Sequence, residues 1–232
     1  MKFLTLLFFC ALFTGSVQAQ VVLSSYNQNE TLTSDQCYDI IKVVWDGLKK
    51  ISEEFTSQIT AKSEFESTAE YIARVQREKE QYAAKISKFA TDNKLNSRNF
   101  FVWMKADLIK YNADNQTYSI KSPTQILIQP KKPEIAIICP NNKYIKIFEK
   151  DLNGYRRANI QLNTEPEFTW FVNRQTAQAT KNKESQIFFR VSFNLSVSIS
   201  GAENQIILQY VPTKIALMDQ GENFTYWSED IH

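Results

Sequence analysis

Phe189-Arg190-Val191-Ser192-Phe193-Asn194-Leu195-Ser196-Val197-Ser198-Ile199 carries an apolar side chain at every odd position and a polar one at every even position. Successive strand side chains point to opposite faces, so this stretch reads as a long β-strand with one dry and one wet face. Working outward, Gly201-Ala202-Glu203-Asn204 supplies a turn and Gln205 to Val211 a returning strand. Thr213 to Met218 and Phe224 to Trp227 flank a second turn at Asp219-Gln220-Gly221-Glu222. Upstream, Phe100, Val102, Met104, Ala106 and Leu108 alternate with Trp103, Lys105 and Asp107, which predicts another half-buried strand. Between these lie shorter strand candidates at 118–121, 125–129, 134–139, 143–149, 155–162 and 167–172. Asp151-Leu152-Asn153-Gly154 gives a hairpin signal, and 174–183 reads as a short surface helix.

Before residue 97 the period is 3.6 rather than 2. Cys37, Ile41, Val44, Trp45, Leu48, Ile51 and Phe55 form one stripe of a helix over 35–54, capped by Ser34 or Asp35. Ser67-Thr68-Ala69-Glu70 has the form of a capping box, opening a helix that runs to about Asp92. Its expected buried stripe is Ile72, Val75, Tyr82, Ile86 and Phe89. The expectation is an α+β fold, an N-terminal helical hairpin packed on an antiparallel β-sandwich or partly open barrel. Helical 34–96 and β-rich 97–232 together read as one domain, preceded by a flexible arm over 20–33.

Residues 1–19 set the expected compartment. Lys2, the apolar run Phe3 to Phe13 broken only by Thr5, and Val17-Gln18-Ala19 have the form of a secretory signal cleaved after Ala19. The run is shorter than the roughly 20 residues of a membrane-spanning helix. A secreted or periplasmic protein without a transmembrane segment is expected. Cys10 leaves with the signal, and Cys37 and Cys139 then most economically pair as a disulfide.

Composition excludes more chemistry than it supplies. With 27 Lys plus Arg against 25 Asp plus Glu and no clustered basic face, nothing points to nucleic acid. The single histidine, His232, ends the chain, which removes serine and cysteine triads and histidine metal sites. No glycine-rich phosphate loop exists, and no cofactor is implied. Oxygen ligands from Asp107, Asp151 and Asn153 lack EF-hand spacing, so no metal is expected. One enzyme alternative survives, a carboxylate-dependent carbohydrate-active site at Glu165 and Glu167 beside Trp170 and Phe171.

The chain is 13% aromatic, and that supplies the candidate binding surface. Trp103 falls on the wet side of its strand, Trp227 follows a turn, and Tyr155, Arg156 and Arg157 sit at a hairpin end. Coverage by the helices or a second sheet would account for the tryptophans equally well. The leading expectation is a non-enzymatic binding module whose partner is an envelope or host protein, or a glycan. An exported effector or inhibitor acting on another cell is the further alternative.

Phe65-Glu66-Ser67-Thr68-Ala69-Glu70-Tyr71-Ile72-Ala73-Arg74 resembles the F-E-S/T-T-x-E-Y-x-x-R motif of many secreted or envelope-associated bacterial proteins of uncharacterised function. In those proteins a similar helix precedes a β-rich region with a Tyr-Asp-Ala-Asp-like turn, matched here by Tyr111-Asn112-Ala113-Asp114. The stretch Val172 to Lys181 and the strand beyond it also resemble the pattern. This chain departs around Gly154 to Ile160, where those proteins carry a glycine- and asparagine-rich strand. The resemblance implies an exported bacterial module and no activity. In a eukaryotic source Asn29, Asn115, Asn194 and Asn223 would be glycosylation sequons.

Overall fold

The computed structural model describes residues 23, 26–27, 29–128, 134–152, 155–163, 168–200 and 204–231, with the backbone alone at 149–152 and 155–157. The signal sequence and Asn153, Gly154, Glu165, Glu167 and His232 lie outside the described residues.

The expected helical hairpin is present as α1 (Ser34–Gln58) and α2 (Thr68–Asp92). Both begin with a complete capping box. Thr33, one residue before the expected caps, pairs with Gln36, and Ser67 pairs with Glu70, so each helix start satisfies two otherwise free backbone donors. Cys37, Ile41, Val44, Trp45 and Leu48 line the buried face of α1 as their spacing requires. The helices approach closely at Gly47. A Cβ there would lie 2.5 Å from the Phe89 ring of α2, so the missing side chain is what admits that ring. Phe55 and Tyr82 stack between the helices with centroids 4.2 Å apart. Ile72 is not in the buried stripe. It is 61% exposed, because α2 meets the core only from Tyr82 onward.

Among the described residues the strands form three sheets. The largest runs β1 (Thr31–Leu32), β2 (Phe100–Lys105), β10 (Ile187–Ile199), β11 (Ile206–Asp219), β12 (Phe224–Asp230). β6 (Ile135–Ile138) adds in parallel to the Ile206–Gln209 end of β11, while β12 pairs antiparallel with its Lys214–Asp219 end. β3 (Asp107–Asn112), β4 (Thr117–Lys121) and β9 (Phe168–Phe171) make the second sheet. The third orders β5 (Gln125–Ile128), β8 (Tyr155–Leu162) and β7 (Ile145–Leu152), with a short helix α3 (Arg174–Asn182) between β9 and β10.

Two strand expectations are altered. The alternation from Phe100 to Leu108 is buried at all five apolar positions, yet the strand breaks at Ala106, whose N–H donates to the Ile187 carbonyl at 3.2 Å. Its halves enter different sheets, so one uninterrupted pattern feeds both layers. Conversely, the segments on either side of Pro212 are one 14-residue strand. Proline lacks the N–H a ladder needs, and it is accommodated beside the register shift at Ser192/Phe193.

One apolar core joins Cys37, Trp45 and Ile86 of the helices with Phe189, Val191 and Phe193 of β10, Tyr118 and Trp170 of the second sheet, and Ile126 and Ile160 of the third. The arrangement is α+β and sandwich-like, with no closed barrel among the described residues. Where composition predicted a free arm, Thr31 and Leu32 pair with β2, and the buried Arg98 guanidinium donates to the Leu23 and Tyr26 carbonyls. No described helix is long and apolar enough to cross a membrane.

The expected Cys37–Cys139 bridge is not formed; both are free thiols. Cys37 is sealed in the first turns of α1, while Cys139 follows β6, where its sulfur accepts from Asn142 Nδ2 at 3.4 Å. Burial raises the Tyr210 hydroxyl, with the two thiols adding to the effect, and burial raises each thiol, Cys139 to about 11.

Candidate functional site

The alternation of β10 puts Phe189, Val191 and Phe193 into the core and turns Phe188, Arg190 and Ser192 to the other face. Antiparallel register with β2 sets Phe188 beside Lys105, Arg190 beside Trp103 and Ser192 beside Phe101. Six side chains from two strands therefore share the wet face of the main sheet, and pairing rather than sequence proximity brings them together. On the far side β11 presents the exposed Lys214 and the buried Ala216 and Met218, and Ser192 is itself buried, so the accessible part of this face lies toward β2.

The contacts on this face alternate ring and cation. Trp103 and Phe188 meet edge to face, 6.0 Å between centroids and 62° between planes. The Arg190 guanidinium lies 4.0 Å over the Phe101 ring, and its Nε donates to Thr31 Oγ1 at 2.9 Å. Lys105 Nζ sits 4.8 Å from the Phe188 ring and donates to the Glu184 and Ile187 carbonyls. Cation–π contacts of this kind are worth about 0.5–1 kcal/mol at exposed sites and more as water is removed. Burial lowers the pKa of both cations; for Lys105, Asp107 and Glu184 oppose the effect. Lys105 is satisfied by carbonyls. Among the described residues no carboxylate forms an ion pair with Arg190, which leaves a half-buried cation held by one hydroxyl and one ring.

Phe101, Trp103 and Phe188 are half-buried but stand outside the core cluster. Trp227 differs. Its register partner is Leu217, on the dry face, and its ring packs against Phe168 at 4.8 Å and Tyr144 at 5.9 Å. The Tyr144 hydroxyl donates to Glu229 Oε2 at 2.6 Å, closing this aromatic cluster. Trp103 and Trp227 thus lie on opposite faces of one sheet and cannot share a surface. Tyr155, Arg156 and Arg157 begin β8, opposite Leu152, Asp151 and Lys150 of β7, in a different sheet from both. Of the five expected surface residues, only Trp103 sits in the aromatic–cation face.

Arg190, Phe101, Phe188 and Lys105 were not singled out by sequence. The available signal was Arg190 interrupting a wet row otherwise made of Ser and Asn, opposite a strand with two rings at its wet positions.

Other chemistry is thin. Among the described residues no group of three His, Cys, Asp or Glu is placed to hold a metal ion. A cleft of about 310 Å³ beside α1, lined by Lys49, Ser52, Glu53, Thr56, Ser57, Glu134 and Ile135, contains no histidine, cysteine or aromatic ring. Compared with protein-family models, with curated proteins and with solved structures, the chain finds no match.

Proposed function

We propose that the protein is a non-enzymatic binding module, directed out of the cytoplasm by Met1–Ala19, whose ligand lies on the wet face of the main sheet over Phe101, Trp103, Phe188 and Arg190. One observation carries this reading. Three aromatic side chains are withheld from the core on the same face as a half-buried guanidinium, which rests on one of them, Phe101, and to which no described carboxylate is paired. Cores gather aromatic surface and ion pairs compensate half-buried charge, so a face that does neither is better explained by something that binds it. The resemblance of 65–74 to exported bacterial proteins supports the same setting, with an envelope or host component as partner.

Trp103→Ala tests the face. Protein expressed from its full-length gene and purified is applied to immobilised cell-envelope material beside the variant. Because the indole lies outside the core, the variant is expected to melt within about 2–4 °C of wild type, a change of roughly 1 kcal/mol for a chain of this size. It is expected to lose most retention. Equal retention of both proteins, or no retention of either, contradicts the reading.

A further inference from the structure

Resting on that reading, we propose that the wet face takes an acidic glycan, with the sugar ring against Trp103 and its carboxylate on the terminal nitrogens of Arg190. The guanidinium is oriented before any ligand arrives. Its Nε is committed to Thr31 Oγ1 at 2.9 Å, and its plane rests on Phe101 at 4.0 Å. Among the described residues no group bonds the two terminal nitrogens, the edge that takes a carboxylate in bidentate fashion. The nearby Lys105 does not compete, because its ammonium is held by the Glu184 and Ile187 carbonyls. Charge therefore selects an anion, at one defined place.

Shape selects a sugar over an acidic peptide. Arg190 and Trp103 are direct cross-strand neighbours, and adjacent strands lie about 4.8 Å apart, close to the width of one pyranose ring. A uronic acid laid across the two strands sets its C–H face on the indole and its carboxylate over the guanidinium. Acidic peptides are read by clusters of arginines, of which this face carries one, and extended peptides also by main-chain hydrogen bonds at a sheet edge. β10 offers no such edge at Arg190, being paired by both β2 and β11 from Phe188 to Phe193. Phe188, packed at 62° to Trp103, braces the indole. Among the described residues no carboxylate pairs with the half-buried Arg190, a charge that a purely structural position would not require.

The test measures binding of three probes by the purified protein: polygalacturonate oligosaccharide, the same oligosaccharide with its carboxylates methyl-esterified, and poly-glutamate. Variants are Arg190→Gln, Arg190→Lys and Trp103→Ala, with melting midpoints as the folding control. The expected result is binding of the polyuronate alone. Arg190→Gln and Trp103→Ala each weaken it tenfold or more, Arg190→Lys falls between, and midpoints stay close to wild type. Poly-glutamate bound with the same variant losses, and no polyuronate bound, overturns the glycan while leaving the binding face intact. Equal binding of esterified and free oligosaccharide, or polyuronate binding unchanged in Arg190→Gln, also overturns it. If no probe binds, the glycan proposal falls, and retention on envelope material by wild type but not Trp103→Ala shows whether the face survives it.

Discussion

Cys37 has no exposed surface and Cys139 is partly covered, and burial raises both thiols above the cysteine range, the latter to about 11. Thiolate is the reactive form, so at neutral pH the native protein is expected to react slowly with a thiol reagent, Cys139 ahead of Cys37. Unfolding without reductant should release two titratable thiols from a chain cleaved after Ala19. Zero thiols from the unfolded, unreduced chain would restore the bridge that cysteine count alone had favoured. That expectation failed for a reason no sequence shows. Pairing depends on where α1 and the end of β6 bring two Cβ atoms, and here each thiol serves as a small side chain packed on the core, Cys37 buried and Cys139 partly covered. Trp103 and Trp227 make the same point, since their contrasting roles follow from which face of the sheet each strand position serves.

At the scale of elements, the 65–74 stretch is an anchored helix start. Arg74 bonds Glu66 through two nitrogens at 2.9 and 3.0 Å and reaches the Thr60 and Ala61 carbonyls, tying the inter-helix loop to α2. The Arg74 hydrogen bond holds the Glu66 carboxyl below the ordinary glutamate value of 4.5. A carboxyl depressed in the folded state favours folding above its unfolded pKa and loses that contribution as pH falls through the lower folded value. The Arg74 Nε–H resonance is therefore expected to titrate with a midpoint below 4.5 and to lose that titration in Glu66→Gln. A midpoint at or above 4.5 contradicts the pair. The α2 cap and ends were legible from local chemistry, because a capping box and an apolar stripe span only a few residues, whereas α1 starts on Thr33, before the expected caps, and runs on to Gln58 rather than residue 54. Strand ends were less so. Pro212 read as a break and lies inside a strand, whereas Ala106 sits inside an unbroken alternation and is the break. Both outcomes are decided by the neighbouring strand, through a register shift in one case and a hydrogen bond to Ile187 in the other.

At the scale of the molecule, a helical hairpin, one long mixed sheet and two small antiparallel sheets enclose a single core among the described residues. Periodicity separated helices from strands and marked the dry side of β10, and that much fixed the α+β class. It did not supply strand order. The union of Arg190 with residues nearly ninety positions earlier is a product of β2–β10 pairing and was invisible before it. The aromatic–cation face is thus a property of the sheet, and its ligand should perturb two strands at once. Chemical-shift mapping of the purified protein titrated with polygalacturonate oligosaccharide tests this most directly. The account predicts shifts at the Trp103 indole and Arg190 Nε–H together with Phe101 and Phe188, and none at Trp227 or Tyr144. Shifts centred on the Trp227–Tyr144 cluster or on the 59–67 loop, with Trp103 and Arg190 unmoved, would contradict it.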